Sequence, residues 1–322
     1  MLKVSIAMAT YNGEKYIHEQ LISLLRQTRR ADEVIICDDG SSDETVDIIR
    51  KFIEENNLQT TWSVHVNDTN KGYTNNFLDC ASMTTGDIIF FCDQDDIWHP
   101  EKINKMIYCF ENNSDINAMS CRFSVIDSQG NSNNSLLNKL RMGNGKLEKV
   151  RFYKQIKNNM SGGLTLAIRR EFLDYVKPII LENNLPYDLP IGIIASAYNS
   201  YYILWEPLVY YRIHSENVST PRFTLKSRIK NIDYHISGRK QRIKLIKICA
   251  RVLDDVIDAK DKRNLYRVLH LLEKDVYNLK KRKVIPLFFS IFYINPMVNR
   301  LISITNFICA MFGDYSKLKR TE

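Results

Sequence analysis

The chain lacks several features that would assign its class at once. Its seven cysteines (Cys37, Cys80, Cys92, Cys109, Cys121, Cys249 and Cys309) are odd in number, and no two have C-x-x-C spacing. A disulfide framework or a zinc knuckle is therefore not expected. Cys37 and Cys92 lie in apolar, strand-like runs and read as buried thiols, which suits a reducing cytosol. No stretch offers the roughly 20 uninterrupted apolar residues of a spanning helix. The nearest candidate, Val284 to Phe312, is broken by Pro286, Asn295, Pro296, Asn299 and Arg300. The start, Met1-Leu2-Lys3-Val4, runs straight into a strand pattern without the charged start, apolar run and cleavage site of a signal peptide. We therefore expect a cytoplasmic protein, with any membrane contact peripheral at the inner face. No G-x-G-x-x-G follows the first strand, which disfavours a Rossmann dehydrogenase.

What is present is an ordinary globular composition, 44% apolar and 25% charged over 322 residues. The net charge of +8 hides an asymmetry. Residues 1–220 carry 22 Lys+Arg against 28 Asp+Glu, and residues 221–322 carry 23 against 9. The basic part suits a polyanion, either nucleic acid or an anionic membrane surface.

The first half alternates apolar strands with amphipathic helices. Strands are expected at Lys3–Met8, Glu33–Cys37, Thr61–Val66 and Asp87–Cys92, with helices over Tyr16–Gln27, near Asn75–Ser82 and from Pro100 through Phe110. Ser41 and Glu44 have the spacing of a capping box for a helix running to about Glu55. Further on, Ala118–Ile126, Leu164–Ile168 and Tyr201–Tyr211 read as strands and Leu189–Tyr198 as a helix. Repeated strand–helix units predict an α/β domain around a mostly parallel sheet. Ligands of such sheets bind beyond the carboxyl ends of the strands. There the sequence sets Thr10-Tyr11-Asn12, Asp38-Asp39-Gly40 and Asp93-Gln94-Asp95-Asp96.

The last of these carries the most chemistry. Three carboxylates in four residues repel one another, so the cluster calls for a cation. Hard divalent ions take oxygen ligands and retain phosphate as a co-ligand. The competing interpretation is a solvated turn with helix-capping aspartates. The apolar strand before the cluster and Trp98-His99-Pro100 after it weigh against that.

Three segments together carry a resemblance: Ser5-Ile6-Ala7-Met8-Ala9-Thr10-Tyr11-Asn12-Gly13, Asp38-Asp39-Gly40-Ser41-Ser42-Asp43, and Phe91-Cys92-Asp93-Gln94-Asp95-Asp96-Ile97-Trp98. They resemble the inverting glycosyltransferase family 2, which has the GT-A fold. The D-Q-D-D-x-W form is similar to that of bacterial rhamnosyltransferases of cell-wall or surface polysaccharide assembly. Tyr211-Arg212-Ile213-His214-Ser215-Glu216-Asn217 resembles that group's later motif. The resemblance covers roughly residues 3–220. It implies a GT-A type, Rossmann-like sheet with flanking helices, followed by a basic, helical C-terminal region from 221 to 322. Residues from 1 to about 115 would bind the nucleotide sugar, and about 116–220 would form the acceptor side.

The resemblance also implies roles. Thr10, Tyr11, Asn12 and Asp39 would hold the nucleobase, Tyr11 by stacking and Asp39 by accepting from a ring N–H. Lys71, Gln94 and Arg212 would contact the donor, Arg212 through phosphate. Asp93 would touch ribose or metal, Asp95 would be the direct metal ligand and His214 would complete the site. Asp96 would support that shell or cap the next helix. The cofactor would be Mn²⁺ or Mg²⁺. Trp98, Gly162 and Gly163 would lie on the acceptor side. The general base would be Asp188, which otherwise reads as a helix N-cap. Here Tyr187-Asp188-Leu189-Pro190 departs from the His-Asp-aromatic pattern of the related rhamnosyltransferases.

The expected activity is inverting transfer of a sugar, rhamnose among the candidates, from a UDP- or dTDP-sugar to a saccharide or lipid-linked saccharide. A non-catalytic sugar-nucleotide or glycan-binding subunit is the alternative, but it does not need both Asp95 and Asp188. Nucleic acid is not an expected partner, since the tail has no nucleic-acid motif and the acidic half would repel phosphate backbones. The basic clusters Arg239–Arg242 and Lys280–Lys283, the latter before Leu287-Phe288-Phe289, suit a helix at an anionic membrane surface. A helical appendage that packs on the catalytic domain, or that makes a homo-oligomer, is the equal alternative.

Overall fold

The computed structural model describes residues 1–132, 143–158, 160, 162–215, 217 and 232–283. Expectations for the apolar stretch after Lys283 fall outside these residues. No helix among the described residues is long and apolar enough to cross a membrane. The chain forms two compact units, one of Met1–Arg151 with Met160–His214, the other of Phe152–Asn159 with the described residues beyond His214.

The first unit is built on a nine-stranded sheet. Its strands are β1 (Val4–Thr10), β2 (Glu33–Asp38), β3 (Trp62–Val66), β4 (Ile88–Asp93), β5 (Ile97–Trp98), β6 (Ala118–Ile126), β7 (Leu147–Lys149), β8 (Leu166–Arg169) and β9 (Tyr201–Arg212). The order is β3-β2-β1-β4-β8-β6-β9-β5, with β7 also paired to β9. β3, β2, β1 and β4 are parallel neighbours. Beyond β4 the pairing becomes mixed: β8 runs antiparallel to both β4 and β6, while β9 runs parallel to β6. Helices α1 (Ile17–Leu25), α2 (Thr45–Glu55) and α3 (Tyr73–Met83) make the crossovers of the parallel half; α4 (Lys102–Asn112) leads from β5 to β6, and α6 (Arg170–Glu182) and α7 (Asp188–Ala197) lie between β8 and β9.

Continuous burial along β1, β2 and β4 explains why these strands read as unbroken apolar runs rather than as alternating ones. Ile6, Met8, Ile36 and Phe90 lie in one core with Ile17 and Leu21 of α1 and Ile103 and Ile107 of α4. The capping box expected at Ser41 and Glu44 does not form. Glu44 makes no side-chain cap bond, and the Ser41 hydroxyl donates instead to Asp38 Oδ2 at 2.6 Å. A fully buried carboxylate needs donors more than a helix end in contact with water does.

The second unit holds α5 (Phe152–Asn158), α8 (Ile232–Val252) and α9 (Ala259–Lys280). The guanidinium of Arg242 donates to the carbonyls of Ile156 and Lys157 at 2.6 and 2.7 Å, satisfying the open end of α5. The two helices α8 and α9 pack together, and Leu245 and Ile246 of α8 and Leu265 and Leu279 of α9 are buried.

Phe90 has no exposed surface and sits on β4 between β1 and β8, where the parallel half meets the mixed half. Phe90→Ala should lower the unfolding free energy by about 3–5 kcal/mol through lost transfer and a residual cavity. Urea titration with an unchanged m value would measure it; a loss below about 1 kcal/mol, the range of ordinary surface substitutions, would contradict this packing.

Candidate active site

Strand register sets the site. Thr10 pairs with Asp38 and Ala9 with Asp93, so the three polar loops leave the sheet side by side. Much of their polarity is turned inward. Thr10 is buried and its hydroxyl donates to Asp38 Oδ2 at 2.8 Å. Asp38 Oδ1 accepts from the N–H groups of Gly40 and Ser41. Asn12 takes a left-handed backbone, φ 48°, and its Oδ1 accepts from Ser42 N at 2.9 Å. Gln94 bonds both backbone groups of Tyr11. The Tyr11 side chain is left outside, 48% exposed.

Asp39 is nearly buried and ties β2 to the turn that precedes α3. Its Oδ1 accepts from Asn67 Nδ2 and Lys71 N at 3.0 and 2.8 Å, and its Oδ2 from Gly72 N at 2.9 Å. A carboxylate has about four acceptor positions, so room for one further donor is left. Lys71 thus enters the site through its backbone. Its ammonium is paired with Asp79 at 3.0 Å.

The acidic loop is held from behind. Arg212 is 1% exposed. Its Nε donates to the Asp95 carbonyl at 2.9 Å, its Nη1 to the Ser128 carbonyl at 3.2 Å, and its Nη2 pairs with Glu19 of α1. Its backbone N–H donates to Asp96 Oδ1 at 3.1 Å. The expectation that Arg212 holds phosphate is therefore corrected: its charge is buried and engaged in shaping the loop, since a buried guanidinium must satisfy its donors within the protein. Two residues on, His214 Nε2 lies 2.9 Å from Asp95 Oδ2, and its ring packs on Tyr16 with centroids 4.5 Å apart.

Trp98 is also corrected. It is 2% exposed, packs against Phe90 in the core and is covered by the Lys102 ammonium 3.3 Å from its ring centroid, so no acceptor reaches it. Lys102 itself was not legible. In sequence it is one more lysine in the first turn of an amphipathic helix. In the fold it is fully buried, donates to the Leu164 carbonyl at 3.2 Å and is pushed down to about 8 by burial, against the pull of nearby thiols and of Asp96 and Asp93. Glu19 and Tyr16, which brace Arg212, gave no signal either.

Asp188 stands at the head of α7 (Asp188–Ala197), the helix that precedes β9. Tyr187 brings it there, packed on Phe91 and Phe77 with ring centroids 4.9 and 4.8 Å away. Gly163 makes this possible, since a Cβ there would lie 2.0 Å from Tyr187 Oη. A Cβ on Gly162 would meet only Thr165 Oγ1 at an ordinary 4.0 Å, so of the two glycines Gly163 alone answers a close approach, and the group that approaches is protein. Burial pushes the Asp188 carboxyl up, and the N–H groups of Leu189 and Gly163 hold it back. The same crowding acts on the acidic loop. Asp93 is pushed up to about 7 by burial, then by the charges of Asp95 and Asp188. Asp96 is raised further, and its buried Oδ2 has no hydrogen-bond partner among the described residues.

Among the described residues no group of three or more His, Cys, Asp and Glu side chains converges in metal-ligand fashion. The Asp95–His214 pair offers two donors, and two protein donors with phosphate oxygens and water are a normal set for a cation that carries a nucleotide. An excess of carboxylates with one orphaned buried oxygen fits that arrangement.

A family model described as Glycosyl transferase family 2 matches residues 5–176. The chain is 28% identical over 223 residues to an uncharacterized glycosyltransferase of Nostoc sp., covering 67% of this chain and 66% of that one, just under two thirds of its length. It is 28% identical over 263 residues to the dTDP-rhamnosyl transferase RfbG of Shigella flexneri, covering 77% of this chain and 85% of that one. Among solved structures it is similar to the mannosyltransferase PcManGT from Pyrobaculum calidifontis in complex with GDP-Man and Mn²⁺, with a TM-score of 0.53 and 14% identity over 98% of this chain and 88% of that one. That likeness shows the fold, GT-A. On its sequence match and its architecture, the chain belongs to glycosyl transferase family 2.

Proposed function

We propose that this glycosyltransferase moves a sugar, with inversion, from a pyrimidine nucleoside diphosphate donor to a saccharide acceptor, free or lipid-linked, in the assembly of a bacterial surface polysaccharide. The observation that carries the reading is geometric. Strand register sets the Tyr11, Asp39 and Asp93 loops side by side, and Tyr187, the residue before Asp188, packs on Phe91 of the strand that carries the acidic loop, with ring centroids 4.9 Å apart. A base for the acceptor and a loop for the diphosphate are thereby anchored to one strand. The similarity to RfbG supports a dTDP-sugar and makes rhamnose the first sugar to test. In this reading residues up to about 115 bind the donor and those to about 220 face the acceptor, with 221–322 an appended helical part.

The chain's residues divide the work. The exposed Tyr11 ring stacks on the base, and the remaining acceptor position of Asp39 takes a ring N–H. Asp95 and His214 would hold the divalent cation, and Asp93 the ribose or the same cation. An imidazole beside a carboxylate suits Mn²⁺ better than Mg²⁺, which prefers an all-oxygen shell. When bound, the cation offsets the negative charge that grows on the departing diphosphate. Asp188 accepts the proton of the acceptor hydroxyl as that oxygen bonds to the anomeric carbon. The bond from that carbon to the phosphate oxygen breaks, and the electron pair leaves with the nucleotide. A carboxyl raised by burial is a better base near neutral pH than an ordinary aspartate.

Release of nucleotide from dTDP- and UDP-sugars with Mn²⁺ and a saccharide acceptor tests this directly. Asp188→Asn should lower turnover by about 10²–10⁴-fold, the usual worth of a positioned base. The wild-type kcat/KM should rise with pH along a limb whose midpoint lies above the ordinary aspartate value of about 3.9, and the variant should lose that limb. Near-normal turnover in the variant would remove Asp188 from its role. Removing His214, a direct donor, should cost at least the roughly 10–100-fold that losing a supporting partner of a metal ligand costs. His214→Ala should accordingly raise the Mn²⁺ needed for half-maximal turnover by that factor, and an unchanged Mn²⁺ requirement would exclude it as a ligand.

Asp188 also has a stability signature. Its carboxyl is raised in the folded chain. The folded state therefore binds more protons than the unfolded state between the two values, and stability is full below the unfolded value and falls as pH rises through the folded one. Asp188→Asn should then melt above the wild type at pH 8, with the gap closing towards pH 4. A constant gap across that range would show that the carboxyl is not raised.

A further inference from the structure

Gln94 stands between two loops that serve opposite ends of the donor. Its Oε1 accepts from Tyr11 N at 2.7 Å and its Nε2 donates to Tyr11 O at 2.9 Å. The backbone fixes the orientation of the amide, because the N–H must meet an acceptor and the carbonyl a donor. Both ends of the side chain are thereby directed at Tyr11, as a neighbouring strand would be. Gly13 completes the arrangement. A Cβ on Gly13 would lie 2.4 Å from Gln94 Oε1 and 2.5 Å from its Cδ, so this position leaves room for the glutamine and for nothing larger than hydrogen. On the other side of the same turn, Asn12 is tied to Ser42 N and Ser41 Oγ. The turn is fastened at both flanks, and the Tyr11 ring projects from it, 48% exposed.

We infer that Gln94 is a positioning residue for nucleotide binding: it locks the Tyr11 main chain to the Asp93–Asp96 loop, so that the nucleobase platform and the diphosphate-bearing loop are ordered together before the donor arrives. The inference rests on the reading of Tyr11 as that platform. It replaces direct donor contact, the role expected for Gln94 from the sequence. Ordering a turn in advance removes that cost from the binding step. Because Gln94 lies between Asp93 and Asp95, a shift of the acidic loop also carries Tyr11 with it. Gly13→Ala should reproduce loss of the glutamine contact. The atom that its new methyl displaces is the end of a flexible side chain, while the Gly13 backbone keeps its bonds to Thr45, Tyr16 and Ile17.

The test is equilibrium binding of UDP and of dTDP with Mn²⁺ to the full chain, for Gln94→Ala, Gly13→Ala, Tyr11→Ala and the double variant Tyr11→Ala/Gln94→Ala. Gln94→Met, which keeps the shape without the hydrogen bonds, serves if the alanine variant is poorly folded by circular dichroism. Loss of the two bonds should weaken binding about ten-fold, and Gly13→Ala should match it. In the Tyr11→Ala background the further loss from Gln94→Ala should shrink to about two-fold or less, because contacts that act through one another are not additive. A full additional ten-fold loss there would overturn the positioning role and make Gln94 an independent donor contact. Wild-type affinity in Gln94→Ala or Gln94→Met would overturn it as well. Unchanged affinity in Tyr11→Ala would instead remove Tyr11 as the platform, and the positioning role with it.

Discussion

Four carboxylates, those of Asp93, Asp95, Asp96 and Asp188, are held at one end of the sheet, and the surrounding structure is arranged against their repulsion. Two cations stand behind them, both without access to water. Arg212 grips the loop through the Asp95 carbonyl and is anchored in turn by Glu19. Lys102 lies under the loop against Trp98. Neither neutralises the outer face. Burial first, and then the neighbouring carboxylates, push Asp93 up to about 7 and raise Asp96 well above the ordinary range. In the proposed function a cation that arrives with the nucleotide would relieve this crowding.

The geometry around that cluster brings residues from distant parts of the chain together. β1, β2 and β4 are parallel, buried and rigid, and they deliver Tyr11, Asp39 and Asp93 to adjacent positions. Asp188 comes from beyond the switch to mixed pairing, on a helix that Tyr187 fixes against Phe91. Asp188, the proposed base, is thus anchored through Tyr187 to the strand that carries the acidic loop.

The parallel half of the fold was legible because buried strands and amphipathic helices leave strong periodic patterns. The acidic cluster was legible because its composition is costly without a ligand. Side-chain commitments were not. Arg212 read as a phosphate ligand since a motif shows a charge and not where it points, and burial turns that charge towards Asp95 O, Ser128 O and Glu19. Trp98 read as an acceptor-side residue because an aromatic beside an acidic motif looks the same whether it faces core or solvent. Lys102 and Glu19 were missed because each has the spacing of an ordinary polar face. The capping box at Ser41 failed for a local reason: the buried Asp38 carboxylate competes for the same hydroxyl.

The central claim is that the described residues supply too few donors to hold a cation alone and that the nucleotide diphosphate completes the set. Its most direct measurement is Mn²⁺ affinity, followed by electron paramagnetic resonance with and without UDP or dTDP. The account predicts weak binding to the protein alone and binding at least about ten-fold tighter with nucleotide, within the usual range of coupling between two ligands, with the gain lost in Asp95→Ala. Equal Mn²⁺ affinity in the two conditions, or tight binding that survives Asp95→Ala, would contradict it.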